Sequence, residues 1–206
     1  MVVIIDYDAG NLTSVERALG ALGVKACITP DAGQVVRASR IVFPGVGAAG
    51  KAMESLRSRG LDTALASACA QGIPILGICL GAQIILEASE ENNARCLSLM
   101  PGRTRALPRQ PGLKIPHMGW NKVDFLRDHP VFRDLPPAAE YYFVHSYFPQ
   151  PASPDLVLGM TEHGSAFPSA IGRGNLVATQ FHPEKSGRFG LTILKNFLAW
   201  DGAVAQ

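Results

Sequence analysis

Gly72-Ile73-Pro74-Ile75-Leu76-Gly77-Ile78-Cys79-Leu80-Gly81 decides the fold of this chain. An apolar run, Ile73 to Ile78, ends in Gly77-Ile78-Cys79-Leu80-Gly81, and a helical pattern, Ala82 to Glu87, follows. A buried strand running through a tight turn into a helix is the layout of a nucleophile elbow, with Cys79 at its apex. Gly77 and Gly81 remove side chains where strand and helix come close. The apex residue holds a strained backbone that lifts its side chain clear of the sheet. A thiol placed there sits at a helix N-terminus, where the helix dipole favours thiolate over thiol. The alternative is a structural Cys packed as a small hydrophobe. A base and an orienting acid elsewhere in the chain are what would decide between the two.

Working outward, Val2 to Ile5 is a continuous apolar run of the kind found in a parallel strand covered on both faces. Asp6 to Asn11 reads as a turn, and Leu12, Val15, Ala18, Leu19 and Leu22 then recur at helical spacing up to Gly23. Lys25 to Thr29 and Arg40 to Phe43 read as strands. Helices are expected over Ala32–Ala38, Ala48–Arg59 and Leu61–Gln71. Strands alternating with helices argue for a parallel α/β sheet, whose ligands gather at the C-terminal ends of the strands. Three loops fall there: Asp6–Asn11, Pro44–Gly47 and Cys79.

The second half changes style. Gly102–Leu107 and Trp120–Phe125 read as short strands, and Tyr141–Tyr147 as one aromatic, β-prone stretch. Leu156–Thr161, Ala166–Gly172 and Asn175–Phe181 read as antiparallel strands, the last two joined at Arg173-Gly174. Leu191–Trp200 reads as a closing helix. With no internal repeat or linker, residues 1–206 are expected to form one α/β domain: three layers around a mostly parallel central sheet with an antiparallel extension.

Hydrophobic residues make up 47% of the 206 and charged residues 17%, which argues against disorder. A net charge of +2, with Arg and Lys scattered, argues against a nucleic-acid or membrane surface. Cys27, Cys69, Cys79 and Cys96 match no metal spacing, and Cys27, Cys69 and Cys96 read as packing residues. The first residues lack a basic leader, and no apolar run approaches membrane-span length, so a soluble, cytoplasmic protein is expected.

A thiolate that attacks a carbonyl needs a base within hydrogen-bond reach, and that base needs orienting. Of the five histidines, His182 alone follows a strong strand and precedes an acid by two residues, in Gln180-Phe181-His182-Pro183-Glu184. Extended backbone repeats every two residues, so His182 and Glu184 can face the same way. The tetrahedral intermediate needs N–H donors. Leu80 offers one and Pro44-Gly45-Val46-Gly47 another, although Pro-Gly here also suits a plain strand-to-helix turn. His117 and His145 are expected to bond within loops.

Gly77-Ile78-Cys79-Leu80-Gly81-Ala82-Gln83 with His182-Pro183-Glu184 downstream resembles the class I (triad) glutamine amidotransferases. More narrowly, the chain is similar to the glutaminase subunits of imidazole glycerol phosphate synthases. The motifs that narrow it are Asp6-Tyr7 with Gly10-Asn11, Pro44-Gly45-Val46-Gly47, Pro116-His117-Met118-Gly119-Trp120-Asn121, Tyr141-Tyr142-Phe143-Val144-His145-Ser146-Tyr147, and His182-Pro183-Glu184-Lys185-Ser186. They run in family order over nearly the whole chain.

The resemblance implies that Cys79 attacks the side-chain amide of glutamine, that His182 moves the protons and that Glu184 orients it, through a glutamyl thioester. It implies that Val46, Gly47 and Leu80 line the oxyanion region, where the peptide near Val46 reorients on activation. It implies that Gly45, Gln83, Glu91, Ser146 and Tyr147 hold the substrate, and that Asn11, Trp120, Tyr142 and Lys185 lie at or near a partner interface. No cofactor or metal is implied. The implied partner is a (β/α)8-barrel cyclase subunit, forming a heterodimer. Ala82 stands where the family usually has Met, Ser146 where Thr is commoner, and Asp8-Ala9 replaces a smaller pair. Three other readings are weighed: an amidotransferase of another pathway, a regulatory relative without catalysis, and a Cys-elbow hydrolase of peptides or esters.

Overall fold

Alternation along the apolar strands builds two cores at once. In β1 (Val2–Ile5), Val3 and Ile5 point to one face and Ile4 to the other. In β3 (Arg40–Gly45), Ile41 and Phe43 oppose Val42; in β4 (Ile75–Cys79), Ile75 opposes Leu76 and Ile78. Each strand is buried on both sides, as parallel sheets require. The computed structural model describes residues 1–8, 10–137 and 139–203.

One face is covered by α2 (Ala32–Val35), α3 (Ala49–Ser58), α4 (Leu61–Ala70) and α5 (Leu80–Ile84), through residues such as Met53, Leu56 and Leu65. The other is covered by α1 (Leu12–Ala21) and α6 (Gly187–Ala199), through Val15, Leu19, Ile193 and Phe197. The result is the expected three-layer α/β arrangement.

The remaining strands are β2 (Ala26–Thr29), β5 (Ala88–Ser89), β6 (Ala94–Arg95), β7 (Gly102–Ala106), β8 (His117–Lys122), β9 (Asp124–Phe125), β10 (Glu140–His145), β11 (Tyr147–Pro151), β12 (Val157–His163), β13 (Ser165–Arg173) and β14 (Leu176–Thr179). The main sheet runs β2-β1-β3-β4-β14-β13-β12-β9. Its first five strands are parallel and the last three pairings antiparallel. A two-stranded sheet (β8, β10) and a four-stranded one (β11-β7-β5-β6) stand beside it.

Several expected boundaries shift. The helix after the elbow is Leu80–Ile84 rather than Ala82–Glu87, because Leu97, Ser98 and Leu99 donate their N–H groups to Ile84, Leu86 and Ile85 and turn the chain away. Tyr141–Tyr147 is not one stretch: it breaks at Ser146 into β10 and β11, which belong to different sheets. The hairpin between β13 and β14 turns at Gly174-Asn175, with Gly174 at φ 55°. His117 and His145 are strand residues paired across β8 and β10, not loop residues. Ala82 is fully buried in the α3–α4 core. Asp8 is ion-paired with Arg59; Ala9 lies outside the described residues.

Among the described residues, no helix is long and apolar enough to cross a membrane, and no three His, Cys, Asp or Glu side chains group as metal ligands.

Candidate active site

Cys79 ends β4 and caps α5 with φ 55° and ψ −106°, a strained conformation for a non-glycine residue and the one the elbow requires. The sequence tolerates it because the neighbouring glycines let strand and helix close. A Cβ on Gly81 would lie 1.9 Å from the Phe43 carbonyl oxygen, and one on Gly77 3.0 Å from the Ala178 Cβ. Leu80 opens α5, so its N–H has no partner within the helix.

His182 and Glu184 follow β14, which lies beside β4 in the sheet. His182 Nδ1 and Glu184 Oε1 are 2.8 Å apart, and their side chains are 2% and 0% exposed. Burial alone would depress the His182 pKa. Hydrogen bonding and negative charge from Cys79 and Glu184 outweigh it and raise the value to about 10. Cys79 is thus close enough to stabilise the imidazolium, yet Nε2 has no well-directed hydrogen-bond partner. Such bonds are often loose before substrate arrives. Ser186 Oγ donates to the His182 carbonyl at 2.6 Å, and the His182 N–H to the Tyr142 carbonyl at 2.9 Å, so the backbone at His182 is fixed.

Val46, Gly47, Cys79, Leu80, Gln83, Glu91, Ser146 and Tyr147 converge on one cavity of about 410 Å³. Gly45 is not among the lining residues; it is packed so tightly that a Cβ there would come within 1.9 Å of the Tyr7 hydroxyl. Gln83 donates both amide hydrogens inward, to the Tyr147 carbonyl at 2.9 Å and to Gln180 Oε1 at 3.0 Å, which leaves its own carbonyl oxygen for a ligand. Glu91 uses Oε2 on the Ala49 N–H at 2.7 Å, tying the cavity to the start of α3. A larger cavity of about 620 Å³, along residues 123–137, contains none of these groups.

The four expected interface residues divide. Trp120 (56% exposed) stands edge-on to Tyr142 at 6.1 Å, and the Lys185 ammonium lies 5.7 Å from the Tyr142 ring centre. Asn11 turns inward instead, and its Nδ2 donates to Glu184 Oε1 at 2.9 Å. Two residues near the nucleophile escaped the sequence reading. Gln180, fully buried, reaches Cys79 Sγ at 3.6 Å. Tyr7 is 1% exposed, and its hydroxyl has no partner. The signal for Gln180 was a polar residue directly after the buried strand and two before the base.

The family pattern of glutamine amidotransferase class-I matches residues 3–200. The imidazole glycerol phosphate synthase subunit HisH of Desulfovibrio desulfuricans is 50% identical over 203 residues, covering 96% of this chain and 93% of that one. Its counterpart in Synechocystis is 45% identical over 199 residues, covering 96% and 95%. A solved glutamine amidotransferase superimposes with a TM-score of 0.77 at 17% identity, over 98% of this chain and all of the other. A putative GMP synthase subunit from Thermoplasma acidophilum gives 0.73 at 22%, over 97% and 92%; at these identities the two structures speak to the fold alone. Because sequence relatives this similar match along nearly their whole length, the chain belongs to the class-I glutamine amidotransferase family and, within it, to the HisH group.

Proposed function

We propose that the chain hydrolyses glutamine to glutamate and ammonia, and passes the ammonia to a partner cyclase subunit of imidazole glycerol phosphate synthase in histidine biosynthesis. One observation carries this reading: Cys79, at the apex of the elbow, lines a cavity with Gln83, Glu91 and Tyr147, and the buried His182–Glu184 pair stands beside it. The relatives' names supply the pathway.

The chemistry follows from the geometry. Cys79 attacks as its thiolate, the nucleophilic form of the group, with the His182 imidazolium beside it. Sulfur adds to the glutamine carboxamide carbon, and the carbonyl electrons move to oxygen, within reach of the Leu80 N–H and the Val46-Gly47 loop. His182 Nδ1 is occupied by Glu184, so the unpaired Nε2 is the atom that gives its proton to the departing nitrogen. The C–N bond breaks, ammonia leaves, and a thioester remains. Neutral His182 then takes a proton from water. The hydroxide adds to the thioester, the C–S bond breaks, and glutamate and the thiolate are restored.

Ammonia released into water is mostly protonated and no longer nucleophilic, so a glutaminase is useful only beside an acceptor site. The exposed Trp120 and Lys185, with half-buried Tyr142 between them, supply a surface for the partner, which we take to be a (β/α)8-barrel cyclase. Its product would divide into imidazole glycerol phosphate and an aminoimidazole carboxamide ribotide. We take residues 1–206 as one glutaminase domain acting in the cytoplasm.

The test is glutamate release by the purified chain alone, with the cyclase subunit and its nucleotide ligand, and with Cys79→Ala in each condition. Stimulation by the partner, abolished by Cys79→Ala, is the expected result. Glutamate release that survives Cys79→Ala would sink the proposal.

A further inference from the structure

Gln180 lies where no motif assigned a role. It follows β14, is fully buried, and is anchored by its own N–H to the Ser169 carbonyl at 2.8 Å. Its side-chain Nε2 is 3.6 Å from Cys79 Sγ. An amide can present either end to a sulfur, and the two ends do opposite things. An N–H group bonds a thiolate more strongly than a thiol, whereas a carbonyl oxygen accepts S–H and holds the thiol neutral.

A chain of buried hydrogen bonds decides which end faces Cys79. The Tyr147 carbonyl can only accept, so the Gln83 atom 2.9 Å from it is the amino group. The second hydrogen of that group points at Gln180, 3.0 Å away, so the Gln180 atom there is oxygen. The Gln180 amino group is therefore left to face the sulfur.

The far side of Tyr147 reinforces the same sense. Its carbonyl also accepts from His145 Nδ1 at 2.8 Å, so His145 Nε2 is an acceptor and takes the Nδ1 hydrogen of His117 at 2.9 Å. His117 Nε2 then accepts from Asn121 Nδ2 at 3.1 Å. The other Asn121 hydrogen goes to the Glu162 carbonyl at 2.8 Å, and Asn121 Oδ1 accepts the Lys122 N–H at 2.8 Å. Backbone carbonyls at Glu162 and Tyr147 thus fix every proton between them. Burial keeps both histidines neutral, with pKa values of about 4 for His117 and about 3 for His145, as this arrangement needs. A carbonyl that already takes two N–H donors leaves Gln83 no alternative orientation of comparable energy.

Resting on the glutaminase reading, we infer that Gln180 is a further catalytic residue, whose side-chain N–H holds the Cys79 sulfur as an aimed thiolate. It works from the side opposite in role to His182: the histidine supplies and removes protons, whereas Gln180 supplies a donor that never titrates.

The experiment is alkylation of Cys79 by iodoacetamide in the full-length chain from pH 5 to 10, without glutamine and located by peptide mass mapping. Wild type is compared with Gln180→Met, which keeps the length and removes the donor. The expected result is a fall in Cys79 alkylation at pH 7 of about tenfold, the usual scale for losing a hydrogen bond to a charged group. The pH midpoint of the reaction should rise by about one unit, and kcat for glutamate release should fall with little change in KM. A folded variant with the wild-type pH profile overturns the inference, because a purely structural role would change stability or KM and leave the sulfur's titration alone. Should Gln180→Met fail to fold, Gln180→Asn, which withdraws the amide by one carbon, is read by the same criterion. Failure of both to fold would make the residue structural and would also overturn the inference. Wild-type chain that shows the expected difference in alkylation but releases no glutamate would sink the glutaminase reading alone.

Discussion

Asn11 Nδ2 donates to Glu184 Oε1 at 2.9 Å, on the same oxygen that faces His182 Nδ1 at 2.8 Å. The N-terminus of α1 is thereby tied to the carboxylate that bonds His182. Asn11 holds this position with φ 64°, a left-handed conformation that Asn tolerates better than most residues. A residue expected only at a partner surface thus also serves the interior of the site. Asn11→Ala should lower kcat by roughly tenfold with KM little changed, since a hydrogen bond to a charged group is worth about 1.5–3 kcal/mol. Asn11→Asp should be worse, because it sets a second carboxylate against Glu184. Steady-state kinetics of the two variants check this, and equal activity of Asn11→Asp and wild type would refute it.

Gly45 and Tyr7 make a second pair whose relation can be measured. Tyr7 is held against Phe43, ring centres 5.3 Å apart, and cannot swing away from a Cβ at Gly45. Gly45→Ala should cost about 2–3 kcal/mol, lowering Tm by roughly 4–12 °C for a chain of this size. Tyr7→Phe alone should cost little stability, because the hydroxyl has no hydrogen-bond partner to lose. Combined with Gly45→Ala it should recover at least half of the loss. Additive losses in thermal melts would count against the clash.

Stability should peak near pH 6.5 and fall on both sides. Burial, the largest cause in each case, pushes His117 and His129 down to about 4 and His145 to about 3, from an ordinary 6.5. Between pH 4 and 6.5 the unfolded chain therefore binds more protons than the folded one, and stability drops on acidification. His182 works in the other direction. Its folded value of about 10 means that its contribution is full below pH 6.5 and is lost as pH rises toward 10. Urea unfolding from pH 4 to 10 tests both limbs. A flat acid limb would show that the three histidines are not buried in neutral form.

Trp120→Ala should weaken the partner complex at least thirtyfold, the scale of an interface hot spot, and leave Tm unchanged. Its ring is more than half exposed and packs edge-on against Tyr142. Calorimetric titration with the cyclase subunit measures the first effect. Unchanged affinity would move the interface elsewhere.

The parallel half of the sheet was legible because Val2–Ile5, Ile41–Phe43 and Ile73–Ile78 are largely apolar runs bounded by turn residues. The elbow was legible from its glycines, and His182–Glu184 from a His two residues before an acid at the end of a strand; the two side chains meet through a 3-10 turn, Pro183–Lys185, and not through the extended backbone expected. The end of α5 was not, since Ile84, Ile85 and Leu86 are all buried and give no periodicity to stop at. Nor was the break at Ser146: no Gly, Pro, Asn or Asp within Tyr141–Tyr147 marks it, and the change of sheet is made by partners distant in sequence, His117 for His145 and Ala106 for Tyr147. Asn11 and Gln180 were hidden for a related reason. Amides carry no charge pattern, and what each one does depends on the group it meets after folding.

The position of β14 bears on the order of synthesis. It is the last strand among the described residues, yet it sits mid-sheet between β4 and β13. Domains assemble from the N-terminus as the chain emerges. A nascent chain that has completed the Cys79 elbow lacks the strand beside it, as well as His182, Glu184 and Gln180. Cys79 is therefore made about a hundred residues before His182, and no fragment ending before residue 184 carries all three groups of the proposed triad. The order of synthesis thus sets the elbow apart from the pair proposed to act with it.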